Sequence, residues 1–90
     1  MTDALIYDAV RTPRGSGRPT GGLHTLSPID LGAAVLQALR DRVNFDRVSV
    51  EDVIFGCGDG VDDQGANIAR SSLLRAGFSE TIPGHTVSRF

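Results

Sequence analysis

The sequence predicts an α/β domain with the element order β-α-β-α-β and mainly parallel strands. Three observations carry that prediction. Short apolar runs rich in strand formers recur at residues 4–10, 50–55 and 85–90. Between them lie two stretches whose apolar residues repeat at three- and four-residue steps. Glycine- and proline-rich segments separate the runs. Strands alternating with helices build a parallel sheet through right-handed crossovers.

Ala4-Leu5-Ile6-Tyr7-Asp8-Ala9-Val10 reads as a strand buried on both faces, stopped by Arg11-Thr12-Pro13. Residues 14–25 hold five glycines and prolines, Gly15, Gly17, Pro19, Gly21 and Gly22, and read as a long exposed loop. Ser27-Pro28-Ile29-Asp30 starts a helix, with a hydroxyl to cap free amides, proline at the first helical position and an acid at the third. That helix should run to Arg42 or Val43 and bury a stripe of Leu31, Val35, Ala38, Leu39 and Val43, leaving Gln37, Arg40 and Asp41 largely outside it. A polar turn at residues 44–47 leads to the second strand, which ends in Gly56-Cys57-Gly58-Asp59-Gly60. A second helix follows, with Asp62 and Asp63 at its start and Ile68, Ala69, Leu73, Leu74 and Ala76 on its apolar face. Gly77 is placed as a left-handed cap, with Phe78 closing a Schellman contact. After Pro83-Gly84 a third strand begins.

At 90 residues a domain buries only roughly 60% of the surface of its unfolded chain, so a further source of stability is required. One Cys and two distant His residues, His24 and His85, give neither a disulfide nor a four-ligand zinc site. Two helices cannot cover both faces of a parallel sheet, and Phe90 falls in mid-strand. The domain is therefore expected to be incomplete without further chain. The net charge of −2 argues against nucleic acid. All nine basic residues are Arg, which removes P-loop, Schiff-base and polybasic membrane chemistry from this segment. No apolar run approaches a signal or membrane-spanning length, and with one thiol the expected location is cytoplasmic.

The glycines at 56, 58 and 60 lie where a dinucleotide-binding turn would, but G-x-G-x-G lacks the third glycine of the Rossmann spacing and reads as a tight βα turn. Cys57 reads as a packed bystander rather than a nucleophile. Arg11, Arg14 and Arg18 read as a solvated loop, although guanidinium groups among glycines can cradle an anion. His24 has no visible partner, and His85 reads as a structural histidine. Arg75 sits where the dipole of the second helix favours a cation.

In order and spacing, six segments resemble the N-terminal part of the thiolase family. They are Asp8-Ala9-Val10-Arg11-Thr12-Pro13, Asp30-Leu31-Gly32, Asp52-Val53-Ile54-Phe55-Gly56, Asn67-Ile68-Ala69-Arg70, Ala76-Gly77-Phe78 and Pro83-Gly84-His85-Thr86-Val87-Ser88-Arg89-Phe90. The resemblance implies that residues 1–90 are the N-terminal part of the thiolase N-terminal domain. It implies a two-step acyl transfer through a cysteine thioester, with 3-ketoacyl-CoA, acyl-CoA and coenzyme A as substrates and no permanently bound cofactor or metal. It implies that no catalytic residue lies in this chain, the nucleophile of the family being expected directly after Phe90. Ser88, Arg89 and Phe90 would flank it, Ser88 standing where asparagine is more frequent. Asn67 and Arg70 would support the site or a subunit interface. Ala66 stands where many thiolases carry a glutamine near the reactive sulfurs, and that role is not transferred to Gln64. The implied partners are the remainder of a thiolase chain and a second copy, in a homodimer or tetramer. The alternative is a thiolase-like protein that binds acyl-CoA or sterol without turnover; a cysteine after Phe90 separates the two.

Overall fold

Ser27 begins the first regular element by the mechanism its sequence announces. In a computed structural model, which describes residues 2–43, 45 and 49–88, helix α1 spans Pro28–Arg42. The Ser27 hydroxyl accepts from the Asp30 amide at 3.1 Å, and the Asp30 carboxylate accepts from the Ser27 amide at 3.4 Å. This reciprocal capping box satisfies two donors that the helix start leaves free. Strand β1 covers Val53–Gly56, a single 3₁₀ turn covers Asp62–Gln64, helix α2 covers Ile68–Arg75, and strand β2 covers Gly84–Val87. The two strands pair in parallel, Val53 opposite Gly84 and Gly56 opposite Val87. The α/β class and the parallel pairing agree with the sequence expectation.

Helix α2 ends as the sequence requires. Gly77 takes φ +85°, the Phe78 amide donates to the Leu73 carbonyl at 3.0 Å, and the Gly77 amide donates to Leu74 at 3.1 Å. These are the two bonds of a Schellman cap. Its packing partner is Arg40, which donates to the Ala76 carbonyl at 2.6 Å and lies 5.8 Å from the Phe78 ring centre. Arg40 is thus not an outward-facing residue of α1: it places a cation on the carbonyl end of α2, where the helix dipole favours one.

The core forms where α2 meets the sheet and α1. Ala33, Val53, Ala69, Leu73, Ala76, Phe78 and Ile82 are buried, with Leu73 and Ala69 fully so. The expected α1 stripe is only half-buried, and the deepest positions of α1 are Gly32 and Ala33. A Cβ built on Gly32 would stand 2.8 Å from Phe55 Cε2 and 3.0 Å from Ser72 Cβ, and closer still to Ser72 Oγ. The two helices therefore touch through a position that admits no side chain. Leu74, expected on the apolar face of α2, is exposed.

Three further expectations are corrected. Residues 4–10 do not enter a ladder; Leu5, Ile6 and Tyr7 are 72%, 92% and 83% exposed. A lone extended segment gains nothing until its backbone finds a partner edge, and an open apolar groove of about 880 Å³ separates this one from Val53, Ile54 and the half-buried side of α1. Among the described residues, an ion pair of 3.0 Å between Asp8 and Arg42 ties it to α1. Strand β1 begins at Val53 rather than Val50, and Ile54 within this apolar run is exposed. Asp62 and Asp63 do not start the second helix. Positive φ at Asp62 (49°) and Ala66 (54°) confines them to the separate 3₁₀ turn, and α2 begins only after Asn67. The turn expected at 44–47 lies largely outside the described residues.

Candidate functional site

Every close polar tie between α2 and the segment 80–86 is made by Asn67, Ala69 or Arg70 on the helix side. Asn67 is the N-cap of α2, its Oδ1 accepting from the Arg70 amide at 3.1 Å. The same side chain turns its amide outward and donates to the Gly84 carbonyl at 2.7 Å. Its Oδ1 also accepts from the Thr86 hydroxyl at 3.0 Å, and that hydroxyl in turn faces the Ala69 amide at 3.5 Å. Arg70 reaches the other way. Its planar fork donates to the Ile82 carbonyl and, at 2.6 Å, to the Glu80 carbonyl. Forked donation of this kind suits arginine and not lysine.

Helix and strand approach this closely because Gly84 has no side chain. A Cβ there would lie 3.1 Å from the Arg70 nitrogen and 3.1 Å from Leu73 Cδ2. From Glu80 to Thr86 the chain is therefore held at four points by the first turn of α2, and it then runs out through Val87 to Ser88, which is exposed. Sequence reasoning singles out Asn67 and Arg70, and the structure brings both onto the chain leading to Ser88. Arg89 and Phe90 lie outside the described residues.

Two side chains were less visible in the sequence. Thr86 carries no local signal, because threonine in a strand is ordinary. His85 is not a lone imidazole: Asp52 Oδ2 lies 3.0 Å from its Nδ1, brought there by the parallel register. Asp52 Oδ1 also accepts from its neighbour Val53 at 2.8 Å. Likewise, Arg75 pairs with Asp30 at 3.2 Å, the arginine exposed and the carboxylate half-buried.

The remaining candidates gather little chemistry. Cys57 is buried, its Sγ facing the Asp59 carbonyl at 3.4 Å and accepting from Gln64 Nε2 at 3.3 Å, while Gln64 also donates to Asp59 at 3.1 Å. Gln64 thus closes the glycine turn. The three glycines are followed by a 3₁₀ turn rather than directly by a helix, and Asn67 caps α2, so the strand–turn–helix junction of a dinucleotide-binding turn is not formed here. Arg11, Arg14, Arg18 and His24 are exposed. Among the described residues, no group of three His, Cys, Asp or Glu side chains is placed to hold a metal ion.

Comparison with known proteins adds a second line. The family described as thiolase, N-terminal domain, matches residues 4–90. The chain is 47% identical over 89 residues to the steroid 3-ketoacyl-CoA thiolase FadA6 of Mycobacterium tuberculosis, covering 99% of this chain and 21% of that protein. It is 41% identical over 92 residues to the beta-ketoadipyl-CoA thiolase of Acinetobacter baylyi, covering 99% and 22%. Among solved structures it resembles the Bacillus anthracis acetyl-CoA acetyltransferase with a TM-score of 0.65 and 36% identity, over 77% of this chain and 17% of that one. The chain thus spans about a fifth of the length of the curated relatives it matches.

Proposed function

Because the chain belongs to the thiolase family, we propose that it serves as the N-terminal part of the N-terminal domain of a thiolase-type acyltransferase. In this reading β2 carries Ser88, Arg89 and Phe90 to a nucleophilic cysteine that follows directly. The thiolate adds to the 3-keto carbonyl of a 3-ketoacyl-CoA; the bond between C2 and C3 breaks, the acetyl-CoA carbanion leaves and takes a proton, and the acyl group stays on sulfur. Coenzyme A then accepts the acyl group, and the thiolate is restored. In the reverse direction an acetyl-CoA carbanion attacks the acyl-enzyme. Splitting the transfer in two replaces one difficult carbon–carbon step with two easier ones.

Residues 1–90 contribute placement. The observation that carries this reading is the clasp of Asn67 and Arg70 on residues 80–86, directly upstream of the expected nucleophile. Placement matters because a misfit of about 1 Å can cost on the order of a hundredfold in rate. The remainder of a thiolase chain supplies the nucleophile, the bases and most coenzyme A contacts, and the complete protein is read as a cytoplasmic homo-oligomer. Among the described residues no helix is long and apolar enough to cross a membrane. The names of the relatives support degradation of fatty acyl or steroid CoA thioesters as the pathway class.

The test is a chimaera in which these 90 residues replace the matching N-terminal fifth of the FadA6 steroid thiolase. Thiolysis of 3-ketoacyl-CoA within about tenfold of the parent rate, or about 1.4 kcal/mol of barrier, is expected. A folded chimaera without turnover would overturn the assignment.

A further inference from the structure

We infer that Thr86 is a positioning residue for the acyl-transfer step, holding the strand that leads to the nucleophile at a fixed height on helix α2. The inference rests on the thiolase reading above and adds a residue to it. Two sets of bonds constrain this strand. The ladder to β1, ending in the Cys57 amide donating to the Val87 carbonyl at 2.9 Å, fixes the strand within the plane of the sheet. Ladder bonds lie in that plane and resist motion along the sheet normal poorly, and a two-stranded sheet is marginal by itself. Motion along the normal is opposed by what lies beneath, namely the first turn of α2.

Gly84 and Thr86 are two residues apart, so they face the same side of the strand. Gly84 sets how near the strand comes, since its missing side chain lets the backbone rest on Ala69, Arg70 and Leu73. Thr86 then supplies the hold. Its hydroxyl donates to Asn67 Oδ1 at 3.0 Å and faces the Ala69 amide at 3.5 Å, so one oxygen engages both the cap side chain and a backbone group of the helix start. The other ties to α2 use main-chain carbonyls of Glu80, Ile82 and Gly84 and lie upstream. Among the described residues, Thr86 makes the last tie to α2 before the strand leaves, with Val87 and Ser88 beyond it. Asn67 links the two functions, because the atom that caps α2 is the atom that receives the Thr86 hydroxyl.

The experiment uses the FadA6 chimaera carrying residues 1–90, with Thr86→Val and Thr86→Ser variants compared below their unfolding temperatures. Valine keeps the shape and the strand preference and removes the hydroxyl; serine keeps the hydroxyl. The expected result is a fall in kcat of about tenfold for Thr86→Val with KM within about twofold, as for an interaction felt at the transition state, and recovery to within about twofold in Thr86→Ser. A contribution to stability alone would lower the melting temperature and leave kcat per folded subunit unchanged, which would overturn the inference. A serine variant as slow as the valine variant would do the same. If Thr86→Val does not fold, Thr86→Ala takes its place, and failure of both to fold would assign the hydroxyl to stability and overturn the inference. An inactive but folded parent chimaera overturns the thiolase reading itself, whereas an active parent with a fully active valine variant overturns only the role of Thr86.

Discussion

Adding one methyl group at Gly32 should loosen the junction of α1 and α2 by about 2 kcal/mol. Alanine is the better helix former by about 1 kcal/mol, so an exposed glycine in this helix would be improved by the change. At Gly32 the new Cβ meets Phe55 Cε2 at 2.8 Å and Ser72 Cβ at 3.0 Å, and it overlaps Ser72 Oγ more severely. Ser72 is fully buried and cannot swing into solvent. Overpacking costs about 1 to 3 kcal/mol, and two clashes against buried Ser72 with a third against half-buried Phe55 place this site near the upper end. Subtracting the propensity gain leaves about 2 kcal/mol, or about thirtyfold in a local opening constant. The assay is native-state hydrogen exchange of the α2 amides in the folded chimaera, compared between Gly32 and Gly32→Ala. Ser72→Ala supplies the internal control. It removes a buried hydroxyl that has no hydrogen-bond partner among the described residues, so alone it should be neutral or stabilising by about 1 kcal/mol. Combined with Gly32→Ala it should recover part of the loss, with a coupling of about 0.5 to 3 kcal/mol. Unchanged or greater protection of α2 in Gly32→Ala would refute the reasoning, and so would strict additivity in the double variant.

Two other substitutions probe the clasp and the thiol. Arg70→Lys should lose one of the two carbonyl bonds and cost about 1 kcal/mol, the Glu80 contact being exposed, read as about fivefold faster exchange in residues 80–84. Cys57→Ser should leave thiolysis by the chimaera within about twofold, since the side chain closes the glycine turn with Gln64 and Asp59; a loss of a hundredfold or more would return Cys57 to candidacy as a reacting group.

Features that depend on a few neighbouring residues were legible in the sequence. Ser27-Pro28-Ile29-Asp30 contains all the groups of its capping box, and Gly77-Phe78 all those of its Schellman cap, so both ends form as read. Pairing across the chain was not. Residues 4–10 have the composition of a strand, yet a strand exists only through a partner edge, and composition does not say whether that edge is reached. His85 and Asp52 meet only because the parallel register sets Gly84 against Val53. Arg75 and Asp30, and Arg40 and Ala76, meet because α1 and α2 cross at Gly32. The same division runs through the site. Asn67 and Arg70 stood out through the thiolase resemblance, and the cap role of Asn67 is local. Their grip on residues 80–86, and the part of Thr86 in it, follow from Gly84 resting on α2, a contact between segments far apart in sequence.

The most direct test of the central claim is peptide sequencing by mass spectrometry of the natural polypeptide that carries these residues, through and beyond Phe90. The account predicts a chain that continues past Phe90 with cysteine as the next residue. A polypeptide that stops at Phe90, or one with any other residue there, would contradict the assignment to an acyl-transferring thiolase.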